Sequence, residues 1–370
     1  MLDVIVVGAG AAGVGISAIL DDLGVDDMLI LEREKVGTSF KKWPKEMRLI
    51  TPSFTTNFYG QADLNSIMAR SSPAYFLRKE HPTGKEYAEY LKSLVEYCNL
   101  PIVEHTNIEK VTYSKGVFSL KITNGKEVRT RFLIWAAGEF QYPNMTVFPG
   151  SELCLHNSKV KSWKDVKGDE HFIIGGYESG IDAAVHLSRL GKEVYVLDGN
   201  APWGDRTTDP SLSLSPFTTE RLEEEMKHGR INLIGKSKIK KVSKKGDEYL
   251  IEIKGKSKIH TSKTPPILAT GFKSSLTLIE DLFEWDKEES YALLNEEDES
   301  TKTPGLFLVG PQVRHENLIF CFIYKYRQRF GVVANAIGER LELDTEILEY
   351  YRQEGFYLDD LSCCADECDC

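Results

Sequence analysis

Short runs of apolar residues alternate along the chain with longer amphipathic stretches. The first run, residues 4–7, is entirely apolar and predicts a central strand of a parallel sheet. A glycine-rich turn follows at 8–13, then a helical pattern that stops at Gly24, then a second apolar run at 28–31. Together these elements predict a β-α-β unit.

The same pattern begins again near residue 171. Residues 171–174 are strand-like, a glycine turn lies at 175–180, a helical stretch follows, and residues 194–197 form the next apolar run. The distance from the first glycine to the acid that ends the second strand is nearly the same in both copies. The sequence therefore predicts a duplicated β-α-β unit.

Each unit is followed by a polar stretch with alternating apolar positions. Residues 102–134 and 239–259 each predict a small antiparallel meander. Each meander leads to a short apolar strand that ends in a turn of small residues, at 136–138 and 269–271. The remaining predicted elements are a buried strand at 305–310 and a helix over about 317–340.

The predicted fold class is α/β. It has two Rossmann-like dinucleotide-binding domains, the second inserted into the first, and each carries a small antiparallel β-meander. The first domain is predicted over residues 1–155 and 272–350, and the inserted domain over 156–271. Residues 351–370 are predicted to form an acidic, cysteine-rich tail.

The glycines of the first turn have separate functions. Gly8 allows the tight turn out of the strand, Gly10 lets the backbone approach a pyrophosphate, and Gly13 allows close packing of helix on strand. The helix start holds the phosphate charge, and Glu32 accepts hydrogen bonds from a ribose. The residues predicted to bind the first dinucleotide are Gly8, Gly10, Ala11, Ala12, Gly13, Glu32 and Arg33.

The second turn departs from the pattern, because Tyr177 stands where the second glycine is expected. A phosphate can still dock on the helix start, and a purely structural unit is the alternative. Asp198 favours NADH, whereas Arg206 could bind the 2′-phosphate of NADPH. We expect NADPH, with NADH as the alternative. The predicted residues of this site are Gly175, Tyr177, Ser179, Gly180, Asp198 and Arg206.

Charge and composition narrow the class of protein. The 370 residues include 46 Lys and Arg against 56 Asp and Glu, so the net charge is −10 and nucleic acid is not an expected partner. No long apolar window predicts a membrane span, and the N-terminus lacks the pattern of a signal peptide. We therefore expect a cytoplasmic enzyme with no membrane partner.

Four of the seven cysteines lie in the last eight residues: Cys363, Cys364, Cys368 and Cys370. Four thiols among acidic residues could hold a Zn²⁺ or Cd²⁺ ion. The alternative is an acidic tail with incidental cysteines. The other three, Cys98, Cys154 and Cys321, are scattered, which is typical of a reducing compartment.

Because it carries two glycine turns, the chain resembles the two-dinucleotide-binding-domain flavoproteins. In that family the N-terminal unit binds FAD and the inserted unit binds NAD(P)H. The small-residue turns at 136–138 and 269–271 are similar to the family's crossings between domains. Gly310 is similar to the glycine that approaches the flavin's ribityl–phosphate chain, although Pro311 replaces the usual Asp. The resemblance thus adds Ala137, Gly138, Gly271 and Gly310 to the cofactor residues.

Within that family the chain resembles flavin-containing monooxygenases, and more narrowly the flavoproteins associated with cobalt–zinc–cadmium resistance. The stretch 36–43 is similar to a glycine-rich segment that ends in Trp, and 48–57 to a segment that lines the flavin ring. Residues 148–158 resemble the monooxygenase fingerprint, with His156 two positions late. The residues so implied are Ser39, Phe40, Trp43, Thr51 and Ile108 for the cofactor and Asn57 as the catalytic candidate, with a turn Asn as its alternative.

The resemblance implies an FAD-dependent NAD(P)H oxidoreductase. It would be a monooxygenase acting through a flavin hydroperoxide, with O2 and a small soft nucleophile or a ketone as substrates. One alternative is a pyridine-nucleotide disulfide reductase that uses the C-terminal cysteines. The other is a flavin-bound sensor without turnover. A homodimer is the assembly that we expect.

Overall fold

The computed structural model describes residues 1–55, 62–123, 125–205, 207, 211–288 and 290–362. The strands of this part are β1 (Leu2–Val7), β2 (Met28–Leu31), β3 (Ile102–Val103), β4 (Ile108–Ser114), β5 (Val117–Ile122), β6 (Glu127–Trp135), β7 (Leu155–His156), β8 (Glu170–Ile174), β9 (Glu193–Leu197), β10 (Ile231–Ile234), β11 (Ile239–Lys245), β12 (Glu248–Ile253), β13 (Ile259–Ser262), β14 (Ile267–Leu268), β15 (Leu306–Leu308), β16 (Arg314–His315) and β17 (Leu318–Ile319). The α-helices are α1 (Ala11–Asp22), α2 (Thr38–Lys41), α3 (Pro73–Leu77), α4 (Gly84–Tyr97), α5 (Glu178–Arg189), α6 (Pro216–Met226), α7 (Ile323–Tyr326), α8 (Phe330–Arg340) and α9 (Leu348–Gln353).

The larger sheet has the strand order β3-β2-β1-β6-β5-β4, and β15 also pairs with β6. Strand β1 is parallel to β2 and to β6, and its residues Val4–Val7 are buried, as the apolar run predicts. Strands β4, β5 and β6 pair antiparallel and form the predicted meander. Strand β6 therefore serves both the meander and the central parallel sheet.

The second sheet has the order β10-β9-β8-β14-β7, and its pairings are parallel. Strands β11, β12 and β13 form a separate antiparallel meander. Because β15 returns to the larger sheet after this second unit, the second unit is an insertion. The predicted α/β class with two Rossmann-like units and two meanders is confirmed.

The buried side chains separate into one large cluster and two smaller ones. The large cluster draws on residues 4–136 and 276–356, and the smaller ones on 154–268. Met145 packs against a smaller cluster, and a Cβ on Gly150 would lie 1.8 Å from a carbonyl oxygen of β11. We therefore propose a domain boundary before Met145 rather than at the predicted residue 155.

The prediction of a helix over 317–340 is wrong for the first part of this range. Strands β16 and β17 pair there as a hairpin, α7 begins only at Ile323, and a 3₁₀ turn at Arg327–Arg329 separates α7 from α8. The short apolar run before α7 fits a strand or a helix equally well by periodicity alone. Tertiary pairing decided between them.

The tail predicted from residue 351 is packed against the body over its first part. Tyr351 and Phe356 are buried, Gly331 donates its backbone N–H to the Phe356 carbonyl at 2.8 Å, and the Leu358 N–H bonds to the Gln328 carbonyl. This packing places the chain beside α8 as far as Leu358. Among the described helices, none is long and apolar enough to cross a membrane.

Helix α4 begins with a reciprocal cap. Thr83 Oγ1 accepts from the Glu86 N–H at 3.3 Å, and Glu86 Oε2 accepts from the Thr83 N–H at 2.9 Å. The start of this helix also supports the segment after β2, because a Cβ on Gly84 would lie 2.2 Å from the Phe40 carbonyl oxygen. The cap therefore helps to position Phe40.

We expect Glu86→Gln to remove part of the acid sensitivity of the fold. Burial alone would raise the pKa of Glu86, but hydrogen bonds from Lys79 and Thr83 outweigh it and lower the pKa to about 2. A carboxyl group with a depressed pKa stabilises the folded state at pH values above its ordinary pKa. This stabilisation is lost as the pH falls towards about 2. At neutral pH the variant should lose about 1 kcal/mol, the usual value of a helix cap.

Urea unfolding of both proteins at several pH values checks this expectation. The difference between wild type and Glu86→Gln should shrink as the pH is lowered. A difference that stays constant with pH would show that the ionised Glu86 carboxylate does not stabilise the helix start.

Candidate functional site

The first glycine turn has the form that a bound pyrophosphate requires. Gly8 has φ +105°, and a Cβ there would lie 2.6 Å from the Ala136 carbonyl oxygen. A Cβ on Gly13 would lie 1.9 Å from the Gly8 carbonyl oxygen. Gly10 differs from both, because a Cβ there would meet nothing within 4 Å. The backbone at Gly10 is thus open to a ligand, whereas the neighbouring glycines are required by packing.

Glu32 is held at the end of β2. Its Oε2 accepts the Ala9 N–H and its Oε1 accepts the Glu34 N–H, both at 2.8 Å. These bonds fix the carboxylate beside the glycine turn, where it lines the same cavity as Arg33. The position fits the ribose contact that the sequence predicts.

A cavity of about 690 Å³ lies between the two glycine turns. Most of the predicted cofactor residues line it. These are Gly8, Gly10, Ala11, Ala12, Glu32, Arg33, Ser39, Phe40, Trp43, Thr51, Ile108, Ala137, Gly138, Tyr177 and Ser179. The structure therefore brings both turns and the segment after β2 to one space.

Six other predicted residues are not among those that line the cavity: Gly13, Gly175, Gly180, Asp198, Gly271 and Gly310. A Cβ on Gly13, Gly175, Gly180 or Gly310 would lie within 3.0 Å of a neighbouring atom, whereas a Cβ on Gly271 would meet nothing within 4 Å. Gly310, for example, has φ +113°, and a Cβ there would lie 3.0 Å from the Ala12 side chain. Asn57, Arg206 and the four tail cysteines Cys363, Cys364, Cys368 and Cys370 lie outside the described residues.

The second turn repeats the backbone of the first. Gly175 has φ +104°, and a Cβ on Gly180 would lie 1.9 Å from the Gly175 carbonyl oxygen. Asp198 Oδ2 accepts the Gly176 N–H at 2.7 Å, as Glu32 does in the first copy. Tyr177 is accommodated because its hydroxyl donates to the Ser213 carbonyl at 2.8 Å. The turn is therefore preserved although the middle glycine is missing.

Glu178 is a residue of this site that the sequence analysis did not single out. It lies in the first turn of α5, and its carboxylate accepts from the Ser215 N–H, from Ser215 Oγ and from Thr218 Oγ1. Burial raises the pKa of Glu178, and these hydrogen bonds only partly offset that effect. The carboxylate joins the start of α5 to the start of α6.

The two chain crossings between the domains lie side by side. The Asn144 N–H bonds to the Gly271 carbonyl at 3.0 Å, and the rings of Phe140 and Phe272 are 5.1 Å apart. His156, from the fingerprint-like segment, is fully buried, and its Nε2 also contacts the Gly271 carbonyl at 3.0 Å. Through this contact His156 joins the segment after the first crossing to the second crossing.

Cys321 is a second residue that sequence reasoning missed. Its exposed side chain lines the cavity, just before α7, and its Sγ donates to Ser211 Oγ at 3.2 Å. Lys325 Nζ donates to the same hydroxyl at 2.7 Å. A search for cysteines directly after each β-α-β unit passes over this position, because only the fold brings it to the cavity.

The cavity wall carries many aromatic rings. Those that line it are Phe40, Trp43, Trp135, Phe140, Tyr142, Tyr177, Phe272, Phe322 and Tyr326. Such a wall suits a planar ring system and limits access of water. The open backbone at Gly10, the fixed Glu32 and the aromatic wall together fit FAD, and the start of α5 fits the phosphates of a second dinucleotide.

Comparison with known proteins agrees with this arrangement. The family described as pyridine nucleotide-disulphide oxidoreductase matches residues 5–310. The chain is 23% identical over 338 residues to the bacilliredoxin reductase Bdr of Bacillus subtilis, covering 91% of this chain and 97% of that protein.

It is also 30% identical over 209 residues to the uncharacterized oxidoreductase CzcO of Bacillus velezensis. That match covers 55% of this chain and spans only 56% of the relative. A flavin-containing monooxygenase from Stenotrophomonas maltophilia has the same fold, with a TM-score of 0.72, 15% identity and coverage of 92% of this chain and 99% of that chain.

Proposed function

The chain belongs to the pyridine nucleotide-disulphide oxidoreductase family, and from this membership we propose that it is an NADPH-dependent FAD oxidoreductase that oxygenates a small molecule with O2. The membership supports FAD and NADPH as cofactors. The observation that carries the proposal is that both glycine turns open on one cavity with an aromatic wall. A hydride donor and its acceptor can therefore meet there.

The residues of the first unit would hold FAD. The backbone at Gly10 and the start of α1 would face the pyrophosphate, and Glu32 would face the adenosine ribose. Phe40 and Trp43, whose ring centroids are 5.1 Å apart, would shield the ring system. The acceptance of hydride and the delivery of electrons are the chemistry that the flavin supplies when bound.

The residues of the second unit would hold NADPH. The start of α5 faces the cavity with Tyr177, Glu178 and Ser179. Asp198 is already engaged, because its Oδ1 accepts the N–H groups of Asn200 and Ala201 in addition to the bond at Oδ2. The donor proposed is NADPH, which the family membership supports.

Oxygenation requires that water be kept from the reacting atoms. The aromatic wall serves that purpose, and the crossing segments close the cavity on one side through Phe140 and Phe272. A small substrate with a thioether, an amine or a ketone suits such a wall, because it is mostly apolar with one polar group.

An anaerobic titration tests the proposal in two steps. NADPH should bleach the visible spectrum of the bound flavin, and readmitted ¹⁸O2 should then place one labelled oxygen atom in a thioether or amine probe. Bleaching without any labelled product would contradict oxygenation but would agree with an NADPH-dependent flavin oxidoreductase. Bound flavin that neither NADPH nor NADH bleaches would contradict both and favour a sensor.

Disulfide reduction is the second candidate, and the Cys321 thiol on the cavity wall favours it. The relative that matches over almost its whole length is a bacilliredoxin reductase, which supports the same reading. The balanced reaction is NADPH + H⁺ + RSSR → NADP⁺ + 2 RSH. Cys321→Ser should then abolish NADPH-dependent reduction of a small disulfide such as cystine, while Cys98→Ser should leave it unchanged.

The tail cysteines offer a separate form of this candidate. Replacing Cys363 and Cys364 by Ser would abolish disulfide reduction if the tail carries the electrons, as the sequence analysis predicts for a reductase. No reduction of disulfides by the wild-type protein would contradict both forms.

A further inference from the structure

We propose that Asp182 and His186 form a proton relay through the wall of the cavity. Both residues lie on α5, one helical turn apart. Asp182 lines the central cavity, and His186 lines two outer clefts of about 400 and 570 Å³. The distance from His186 Nε2 to Asp182 Oδ1 is 3.4 Å. The pair therefore connects solvent on one side with the reacting space on the other.

Two atoms of this pair have no hydrogen-bond partner among the described residues: Asp182 Oδ2 and His186 Nε2. Asp182 is only 4% exposed, and buried carboxylate oxygens are rarely left without a donor. A water molecule matches the pair, because it donates to Oδ2 and exchanges a proton with the imidazole. The relay thus consists of His186, a bound water and Asp182.

The charges around the pair keep the Asp182 carboxylate ionised. Arg221 donates from Nη1 to Asp182 Oδ1 at 2.8 Å. Burial alone would raise the pKa of Asp182, but His186 and Arg221 outweigh it and lower the pKa. The ionisable groups that line the two clefts together with His186 are Lys45, Glu46, Arg48, Lys79, Glu80, His81, Lys164, Asp165, Arg189 and Arg221.

The reactions proposed for this site each consume one solvent proton per NADPH. Oxygenation follows NADPH + H⁺ + O2 + S → NADP⁺ + SO + H2O, where S is the substrate. Without substrate, NADPH + H⁺ + O2 → NADP⁺ + H2O2. In the relay His186 takes a proton from cleft water, the bound water carries it to Asp182 Oδ2, and the carboxylate then releases it to the cavity. The pair returns to its starting protonation state.

Hydride transfer from NADPH requires no solvent proton, whereas the reaction with O2 consumes one. A defect in the relay should therefore slow only the reaction with O2, but a structural defect should slow both half-reactions. We expect His186→Gln and Asp182→Asn to leave anaerobic flavin bleaching unchanged. Both variants should slow NADPH oxidation in air about tenfold. This loss is smaller than the rate factor of roughly 10²–10⁴ that a general acid or base usually contributes, because water at the cavity mouth also supplies protons. His81→Gln, in the same cleft, is the matched control and should behave as wild type.

Added imidazole should restore NADPH oxidation in His186→Gln but not in Asp182→Asn. Equal losses in both half-reactions without rescue would overturn the relay, and so would wild-type rates in both variants.

A readout without turnover keeps the test independent of the proposed function. A crystal structure should show a water within hydrogen-bond distance of Asp182 Oδ2. A dry Oδ2 would overturn the relay even if the protein proved to be no oxygenase.

Discussion

Replacing Gly10 by Val should abolish flavin binding and leave the fold of the flavin-free protein intact. A Cβ at Gly10 meets no atom within 4 Å, and its φ of −83° is one that any residue adopts. The added side chain would instead fill the space where the pyrophosphate approaches the backbone. Helix α1 would lose about 1 kcal/mol or less, since Val is a poorer N-cap than Gly.

The ratio of flavin absorbance to protein, with a thermal melt of the flavin-free form, measures this effect. Gly204→Val is the matched control, because a Cβ there also meets nothing within 4 Å and Gly204 does not line the cavity. Gly13→Val should behave differently and destabilise the fold itself, because its Cβ would overlap the Gly8 carbonyl. Full flavin content in Gly10→Val would show that the first turn does not bind the cofactor.

Replacing Asp298 by Asn should destabilise the protein by about 3 to 5 kcal/mol, the cost of leaving a buried charge without its partner. Asp298 is fully buried and Arg329 is 1% exposed. Arg329 donates from Nε to both carboxylate oxygens and from Nη2 to Oδ1 at 2.9 Å. Asn keeps the side-chain shape and tolerates the φ of +59° at this position, so the loss of charge dominates.

The exposed pair of Arg352 and Asp359 is the control for this variant. It has similar geometry, with two N–H donors at 2.6 and 2.9 Å, but both side chains are more than a third exposed. Hydrogen bonds from Arg352 lower the pKa of Asp359 to about 2, yet exposed pairs contribute at most about 1 kcal/mol. Urea unfolding that gives equal losses for Asp298→Asn and Asp359→Asn would contradict the role assigned to burial.

The buried pair also matters for the C-terminal segment. Arg329 Nη1 donates to the Leu358 carbonyl at 2.5 Å, and this bond joins the segment after α9 to the 3₁₀ turn that precedes α8. We therefore expect faster backbone hydrogen exchange near Leu358 in Asp298→Asn than in Asp359→Asn. The tail cysteines follow directly after this segment in the sequence.

The sequence by itself determined the two β-α-β units, their meanders and the open backbone at Gly10. These features are local, because a parallel central strand needs a continuous apolar run and a tight turn needs glycine at a positive φ. Gly8 and Gly175, with φ +105° and +104°, show the same requirement in both copies. The resemblance to two-dinucleotide-binding-domain flavoproteins, and the cofactors that it implies, rest on these local features.

Only the tertiary structure decided which distant residues share the cavity. Cys321 reaches the wall because α7 packs against α1, the helix that follows the first glycine turn, and Asp182 reaches it because the first turns of α5 line the same cavity. The hairpin at 314–319 and the position of Met145 were settled in the same way, since an apolar residue fits several partners until the whole chain packs. Local pattern specifies an element, but contacts between elements require the complete core.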